Sequence, residues 1–127
     1  METHILLIDD DVDEPEIFTN ALREAGLAVN CTWANCADEG MRLLDEIQPD
    51  IIVLDFNMPK INGLETLRML KKNAMLRNIP VIMYSATMDK DLTTKAIQLG
   101  ALGCIRKPFN MQELPSLLQP FLRNTFL

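Results

Sequence analysis

Apolar runs of strand length alternate along this chain with stretches whose apolar residues recur at helical spacing. Residues 5–8, ILLI, form the first unbroken run. Ile17, Phe18, Ala21, Leu22 and Ala25 then share a helical face, and Gly26 is placed to stop that helix. In VNCTWA the pattern changes to alternation, with Val29, Cys31 and Trp33 on one side. Ala37, Met41, Leu44 and Ile47 make a second helical stripe, closed by Pro49. Residues 51–54, IIVL, are the second unbroken run, and Leu64, Leu67 and Leu70 follow at helical spacing. Pro80 opens VIMY, the third such run; Leu92, Ala96 and Leu99 follow and Gly100 ends them. CIR is a short last strand and NMQELPSLLQPFL a last helix. There Asn110 and Glu113 have capping-box spacing. Pro115 and Pro120 predict a late start, with Pro115 in the first turn and a kink or break near Pro120.

Five strand–helix pairs in succession imply one α/β domain, a parallel sheet with helices on both faces. Strands buried on both faces read as unbroken apolar runs, whereas half-exposed ones alternate or are short. The first, third and fourth strands therefore belong in the centre, the second and fifth at the edges. Right-handed crossovers then give the order 2-1-3-4-5, the flavodoxin-like (βα)5 arrangement, with its switch point between strands 1 and 3.

Ligands of such sheets bind at the carboxyl ends of the strands. Strand 1 runs into Asp9, Asp10 and Asp11, strand 3 into Asp55, strand 4 into Ser85, and strand 5 into Lys107 and Pro108. Singly, each has an ordinary explanation. Acids after a strand cap helices, and Asp11 is read as such a cap; for Asp9 and Asp10 taken alone, cap and metal ligand are equally compatible. A lone Asp such as Asp55 forms turns, a terminal Ser caps, and a Lys before Pro is solvated. Together they share one rim. Clustered carboxylates repel and push one another's pKa up, and a divalent cation relieves the conflict. An all-oxygen donor set without His or thiolate selects a hard ion such as Mg²⁺. With a carboxylate nucleophile, a hydroxyl and an ammonium alongside, the constellation fits phosphoryl transfer to Asp55.

Composition narrows the field. The chain has 127 residues and a net charge of −6, from 12 basic and 18 acidic side chains, so it repels phosphate backbones and is not expected to bind nucleic acid directly. Three cysteines, Cys31, Cys36 and Cys104, form no Cys-x-x-Cys pair and fit a reducing cytoplasm. No signal peptide is read at the start, and no apolar stretch approaches the roughly 20 residues of a membrane helix. A single cytoplasmic domain spanning residues 1–127 is expected, with no output domain, as a monomer or weak dimer.

The segments ILLIDDD, IIVLDFNMPKINGLE, PVIMYSA and GALGCIRKPF resemble, in order and spacing, the receiver domain of two-component response regulators of the chemotaxis-regulator kind. The resemblance implies that Asp55 accepts a phosphoryl group from a histidine kinase or a histidine phosphotransfer protein. It implies Mg²⁺ held by Asp9, Asp10, Asp55 and the backbone carbonyl of Asn57. Ser85, the backbone of Ala86 and Lys107 would stabilise the phosphoryl group, with Ser85 as the switch hydroxyl. It further implies a cis Lys107–Pro108 peptide. Pro59 and Gly63 are expected to shape the loop after Asp55, with Gly63 marking the turn into the third helix. Asn57 and Thr87 fall where the family tunes phosphoryl lifetime. One position departs: the family's switch aromatic on strand 5 is Cys104 here, which sweeps little volume and weakens the expected coupling of Ser85 to the face of helix 4, strand 5 and helix 5. Cys104 is read as a small buried residue without a redox role. Tyr84, just before Ser85, is placed to take over the missing ring's part.

The resulting expectation is a switch, not an enzyme: a phosphoryl acceptor that modifies and demodifies itself and changes its docking to a downstream protein. The alternatives are a degenerate receiver that binds a partner regardless of phosphorylation, and a Mg²⁺-dependent aspartyl phosphatase. The phosphatase needs a second acid two residues after its nucleophile, where this chain has Asn57. A flavin-binding domain is disfavoured because no phosphate-cradling loop follows strand 1.

Overall fold

The computed structural model describes the backbone of residues 2–126 and the side chains of residues 2–122. Strands and helices alternate as β1 (Thr3–Ile8), α1 (Glu14–Glu24), β2 (Val29–Ala34), α2 (Ala37–Leu43), β3 (Ile51–Leu54), α3 (Gly63–Lys72), β4 (Val81–Ser85), α4 (Lys90–Gln98), β5 (Gly103–Arg106) and α5 (Leu114–Phe126). The strands form one parallel sheet in the order β2-β1-β3-β4-β5. The unbroken runs are thus central and the alternating and short strands are the edges, as expected. Among the described residues no helix is long and apolar enough to cross a membrane.

Alternation along the central strands divides the core into two layers. Leu7, Val53, Ile82 and Tyr84 face Phe18 and Leu22 of α1 and Leu114, Leu118 and Leu122 of α5. Ile8, Leu54 and Met83 face the other way, towards Leu67 and Leu70 of α3 and Ala96 of α4. Each fully buried side chain of this size contributes about 1.5–3 kcal/mol.

Helix ends follow their local chemistry, with some departures from expectation. Gly26 adopts φ 85° just past α1, the left-handed conformation that ends a helix at little cost to glycine. The stripe ending at Ile47 yields a shorter helix: α2 stops at Leu43, and hydrogen-bonded turns carry the chain on. Asp11 is not the N-cap of α1; Asp13 is. The Asp11 carboxylate instead accepts the Asp13 N–H at 3.0 Å, forming an Asx turn before the helix. Asn110 caps a single 3-10 turn, Met111–Glu113, through the Gln112 N–H rather than the Glu113 N–H.

The last helix starts late with Pro115 in its first turn, as expected, but does not break at Pro120. Pro120 is exposed, and so is Ser116, whose carbonyl loses its intrahelical donor to the proline and is free to take water. Leu114, Leu118 and Leu122 meanwhile keep a buried i, i+4, i+8 stripe on the inner face. That burial offsets the cost of the proline, about 3 kcal/mol.

Candidate functional site

The rim at the carboxyl ends of the central strands collects every polar group that the strand pattern places there. Asp9 follows β1 and is fully buried; Asp55 follows β3 and is 5% exposed; Ser85 ends β4 and is fully buried. The backbone holds this register. Asp55 N–H donates to the Ile8 carbonyl at 2.9 Å, and Lys107 N–H to the Ser85 carbonyl at 3.0 Å. The ladder therefore runs one residue past β5 and aims Lys107 inward. Among the described residues no peptide bond is cis, so Lys107–Pro108 is trans, against expectation. Trans is the intrinsically preferred isomer, by about 0.5–1 kcal/mol for a bond to proline.

Asp9 is the fixed member of the cluster. Its Oδ1 accepts the Asp11 N–H at 3.0 Å and its Oδ2 accepts from Lys107 Nζ at 2.8 Å. The Asp9 carbonyl accepts from Trp33 Nε1 at 2.7 Å, so the inward ring of the alternating edge strand clamps the end of β1. Lys107 Nζ also lies 4.0 Å from Asp55 Oδ2. Asp10 is exposed, beside an open groove lined with Asn35, Pro59 and Lys60.

The electrostatics follow from this placement. Burial, then the neighbouring Asp9 charge, push the Asp55 carboxyl up to about 6, against the opposing pull of Lys107, Ser85 and the Asn57 backbone. Burial alone would lower the Lys107 ammonium, but the hydrogen bond to Asp9 and the charges of Asp55, Asp9 and Glu14 hold it above its ordinary value.

A divalent cation fits these donors. Asp9, Asp10 and Asp55 can each present a carboxylate oxygen within 4.8 Å of the others. The donors are hard oxygens, and the Asp55 carboxyl, raised by burial first and by the Asp9 charge next, is one whose ionised form a dication would favour. The Asn57 Nδ2 donates to Thr87 Oγ1 at 2.7 Å and approaches Ser85 Oγ at 3.5 Å, which ties the amide to the loop after β4. Ser85 Oγ also accepts weakly from the Thr87 N–H at 3.4 Å, and Ala86 between them is exposed at the open side of the rim.

Gly63 does more than mark a turn. A Cβ there would collide with the Asp55 carbonyl oxygen and stand 2.7 Å from Phe56 Cα and 2.9 Å from Met83 Cε. Its N–H donates to the Phe56 carbonyl at 2.8 Å, and Asn62 caps α3 through the Glu65 N–H at 3.0 Å. Only a residue without a side chain lets α3 start this close to the end of β3. Lys60, in the loop between them, takes φ 68°.

Cys104 is half-buried on the α3/α4 side of the sheet. Tyr84 does not replace the missing ring. Adjacent strand residues point to opposite faces, and Tyr84 lies on the α1/α5 side, its ring 5.6 Å from that of Phe18 and edge-on at 66°. Sequence reading also missed three features: Trp33 as a clamp on Asp9, the Tyr84 ring beside Lys107, and the buried acid Glu14 in the first turn of α1. Glu14 had a legible signal, since it lies four residues before Phe18 on the stripe that Leu22 continues.

A model of the response regulator receiver domain matches residues 5–119. The probable C4-dicarboxylate response regulator DctR of Bacillus subtilis is 33% identical over 94% of this chain and 52% of its own length. The chemotaxis protein CheY of Pseudomonas aeruginosa is 33% identical over 87% of this chain and 88% of its own. The receiver domain of Francisella response regulator 1452 superposes with a TM-score of 0.81 at 27% identity, covering 98% of this chain and 99% of that one. The chain thus spans about half the length of the regulator DctR and most of the chemotaxis protein.

Proposed function

Because this chain belongs to the response regulator receiver domain family, we propose that it carries a phosphoryl group on Asp55 and signals through the change this makes in protein docking. One observation carries the reading: a buried carboxylate at a strand end stands 4.0 Å from an ammonium that a second buried carboxylate holds at 2.8 Å. The Asp55 oxygen attacks phosphorus, and the bond from phosphorus to the donor breaks with its electron pair leaving on the donor. The donor is a phosphohistidine of a kinase or phosphotransfer protein, or a small acyl phosphate. Lys107 Nζ, already between Asp9 and Asp55, needs only a short displacement to donate to a phosphoryl oxygen. Ser85 Oγ lies at the neighbouring strand end to donate to another. A Mg²⁺ held by Asp9, Asp10, Asp55 and the Asn57 carbonyl would supply charge neutralisation for the acids and the phosphoryl oxygens.

The modification adds about −1.5 to −2 charges beside Lys107 and Ser85. The chain acts as an acceptor and not as a turnover enzyme, and the downstream target is a protein. Asn57, an amide bonded to Thr87, gives an aspartyl phosphatase no general acid. The test is incubation with Mg²⁺ and acetyl phosphate followed by intact mass. The wild type should gain one phosphoryl group and Asp55→Asn none. A wild type that gains none, or a variant that gains one, would overturn the reading.

A further inference from the structure

A buried ring lies beneath the path between the cation of the site and its acceptor. In the sheet β4 stands between β5, which leads into Lys107, and β3, which leads into Asp55. Tyr84 on β4 pairs with Ile105 on β5, and residues two apart on a strand share a face. Lys107, two past Ile105, therefore emerges on the face that holds Tyr84, and its side chain crosses β4 to reach Asp9. Its Nζ stands 5.4 Å from the centroid of the Tyr84 ring, inside cation–π range. The ring itself is held fast: Tyr84 is 1% exposed and meets Phe18 edge-on, with centroids 5.6 Å apart.

Packing alone does not account for a tyrosine in this slot. Its hydroxyl is buried without a hydrogen-bond partner, and an aliphatic side chain would fill the inner face of the strand without that cost. What the ring adds is an electron-rich face, and the group over that face is an ammonium.

Lys107 has one hydrogen bond, to Asp9 at 2.8 Å, and an ion pair with Asp55 at 4.0 Å. Donating to a phosphoryl oxygen draws the ammonium off Asp9, and the ring is the partner that stays in place through that step. We propose that Tyr84 is a positioning residue: its ring face carries the Lys107 ammonium as it passes from Asp9 to a phosphoryl group on Asp55, and holds it at the rim in both states. The inference rests on Asp55 being the phosphoryl acceptor. In the free protein Asp9 anchors the ammonium whatever the ring does. In the loaded protein the ring replaces part of that anchorage, so a ring with a poorer face weakens the loaded state more than the free one.

The experiment titrates the folded protein with beryllofluoride, a phosphoryl mimic, at saturating Mg²⁺, with binding followed by NMR. Position 84 carries a series of rings of nearly one shape: Tyr84→Phe, then the same phenyl ring bearing two, three and five fluorines, introduced as fluorinated amino acids. Fluorine draws electron density from the ring face and leaves the packing in place, so a merely structural role would give no trend. The series also keeps the fold, which a truncation such as Tyr84→Leu would put at risk. Tyr84→Phe should bind within about 2-fold of the wild type, and affinity should then fall stepwise, to about 3–10-fold weaker with five fluorines. Nuclear Overhauser contacts between the Lys107 side chain and the Tyr84 ring should be present in the free and in the loaded wild type. Equal or tighter binding along the series, or loss of those contacts on loading, overturns the proposal. Absence of binding by the wild type would instead overturn Asp55 as acceptor, and the proposal with it, so the two failures are distinct.

Discussion

The two faces of the sheet reach the same acidic rim with different material. On the α1/α5 face Tyr84 sets a full ring against Phe18 and beneath Lys107, with two unsatisfied polar atoms close by. On the α3/α4 face the residues at the ends of β4 and β5 are small or flexible, Ser85, Met83 and Cys104, while the Phe56 ring packs in from the loop after β3 and the Asn57–Thr87 bond lies over Ser85. The cation of the site thus leans on the bulky face, and its hydroxyl belongs to the slender one. Asp55 has a neighbour on each side: Lys107, over the Tyr84 ring, and Ser85, on the α3/α4 side. A residue that displaces little volume at position 104 moves little when Ser85 moves.

The largest effect should come from removing the cation. Lys107→Met leaves fully buried Asp9 without its ion pair and Asp55 without its nearest positive charge. Breaking one partner of a buried pair costs about 3–5 kcal/mol. Urea unfolding in EDTA should show a loss of that size, partly recovered by saturating Mg²⁺. A loss below about 1 kcal/mol would mean that Lys107 is a surface charge and that the two faces are not joined through it.

The rim itself comes next. Asp55 titrates at about 6 in the fold against an ordinary 3.8, so the folded state binds its proton more tightly than the unfolded chain. Its contribution is fully present below about pH 3.8 and is lost as pH rises to 6, at about 1.4 kcal/mol per pH unit or some 3 kcal/mol at most. Asp55→Asn should therefore be more stable than the wild type at pH 7.5 in EDTA, by about 1–3 kcal/mol. The gain should shrink with added Mg²⁺ and vanish near pH 4. Chemical unfolding at several pH values checks the sign; an Asn variant that is less stable at pH 7.5 contradicts the repulsion.

Restoring bulk on the slender face tests the comparison directly. Cys104→Phe is half-exposed, so its ring can be admitted at a cost of about 1 kcal/mol or less. With a ring to move, phosphorylation should alter hydrogen exchange across Lys90–Gln98 more than in the wild type. Equal responses in the two proteins would show that position 104 does not limit coupling to α4.

Most of this frame was legible in the residues, for physical reasons that also explain the gaps. Unbroken runs such as IIVL fix burial on both faces, and the rim follows because a strand's last residue cannot leave its end. Trp33 could be assigned to the inner side by alternation, but its hydrogen bond to the Asp9 carbonyl depends on strand pairing across 24 residues. The place of Glu14 on the Phe18–Leu22 stripe was outweighed by the rule that an acid in a first helical turn lies at the surface, favoured by the helix dipole. The break foreseen at Pro120 does not occur because local cost was weighed without the leucine stripe on the opposite side. Tyr84 was misassigned because its neighbour in sequence, Ser85, lies across the sheet from it.

The smallest effect concerns the tie over Ser85. Thr87→Ala removes the 2.7 Å acceptor of the Asn57 amide, in an exposed setting where water can replace it. Stability should change by about 0.5–1 kcal/mol at most. The loops after β3 and β4 lose their side-chain link, and the Asn57 amide is left to turn wholly to Ser85 Oγ, now 3.5 Å away. Ser85 would then hold a firmer partner before phosphorylation than after it. Uptake from acetyl phosphate, read by intact mass over time, should slow by about 2–5-fold. Uptake at the wild-type rate would show that the tie over Ser85 does not bear on the loading of Asp55.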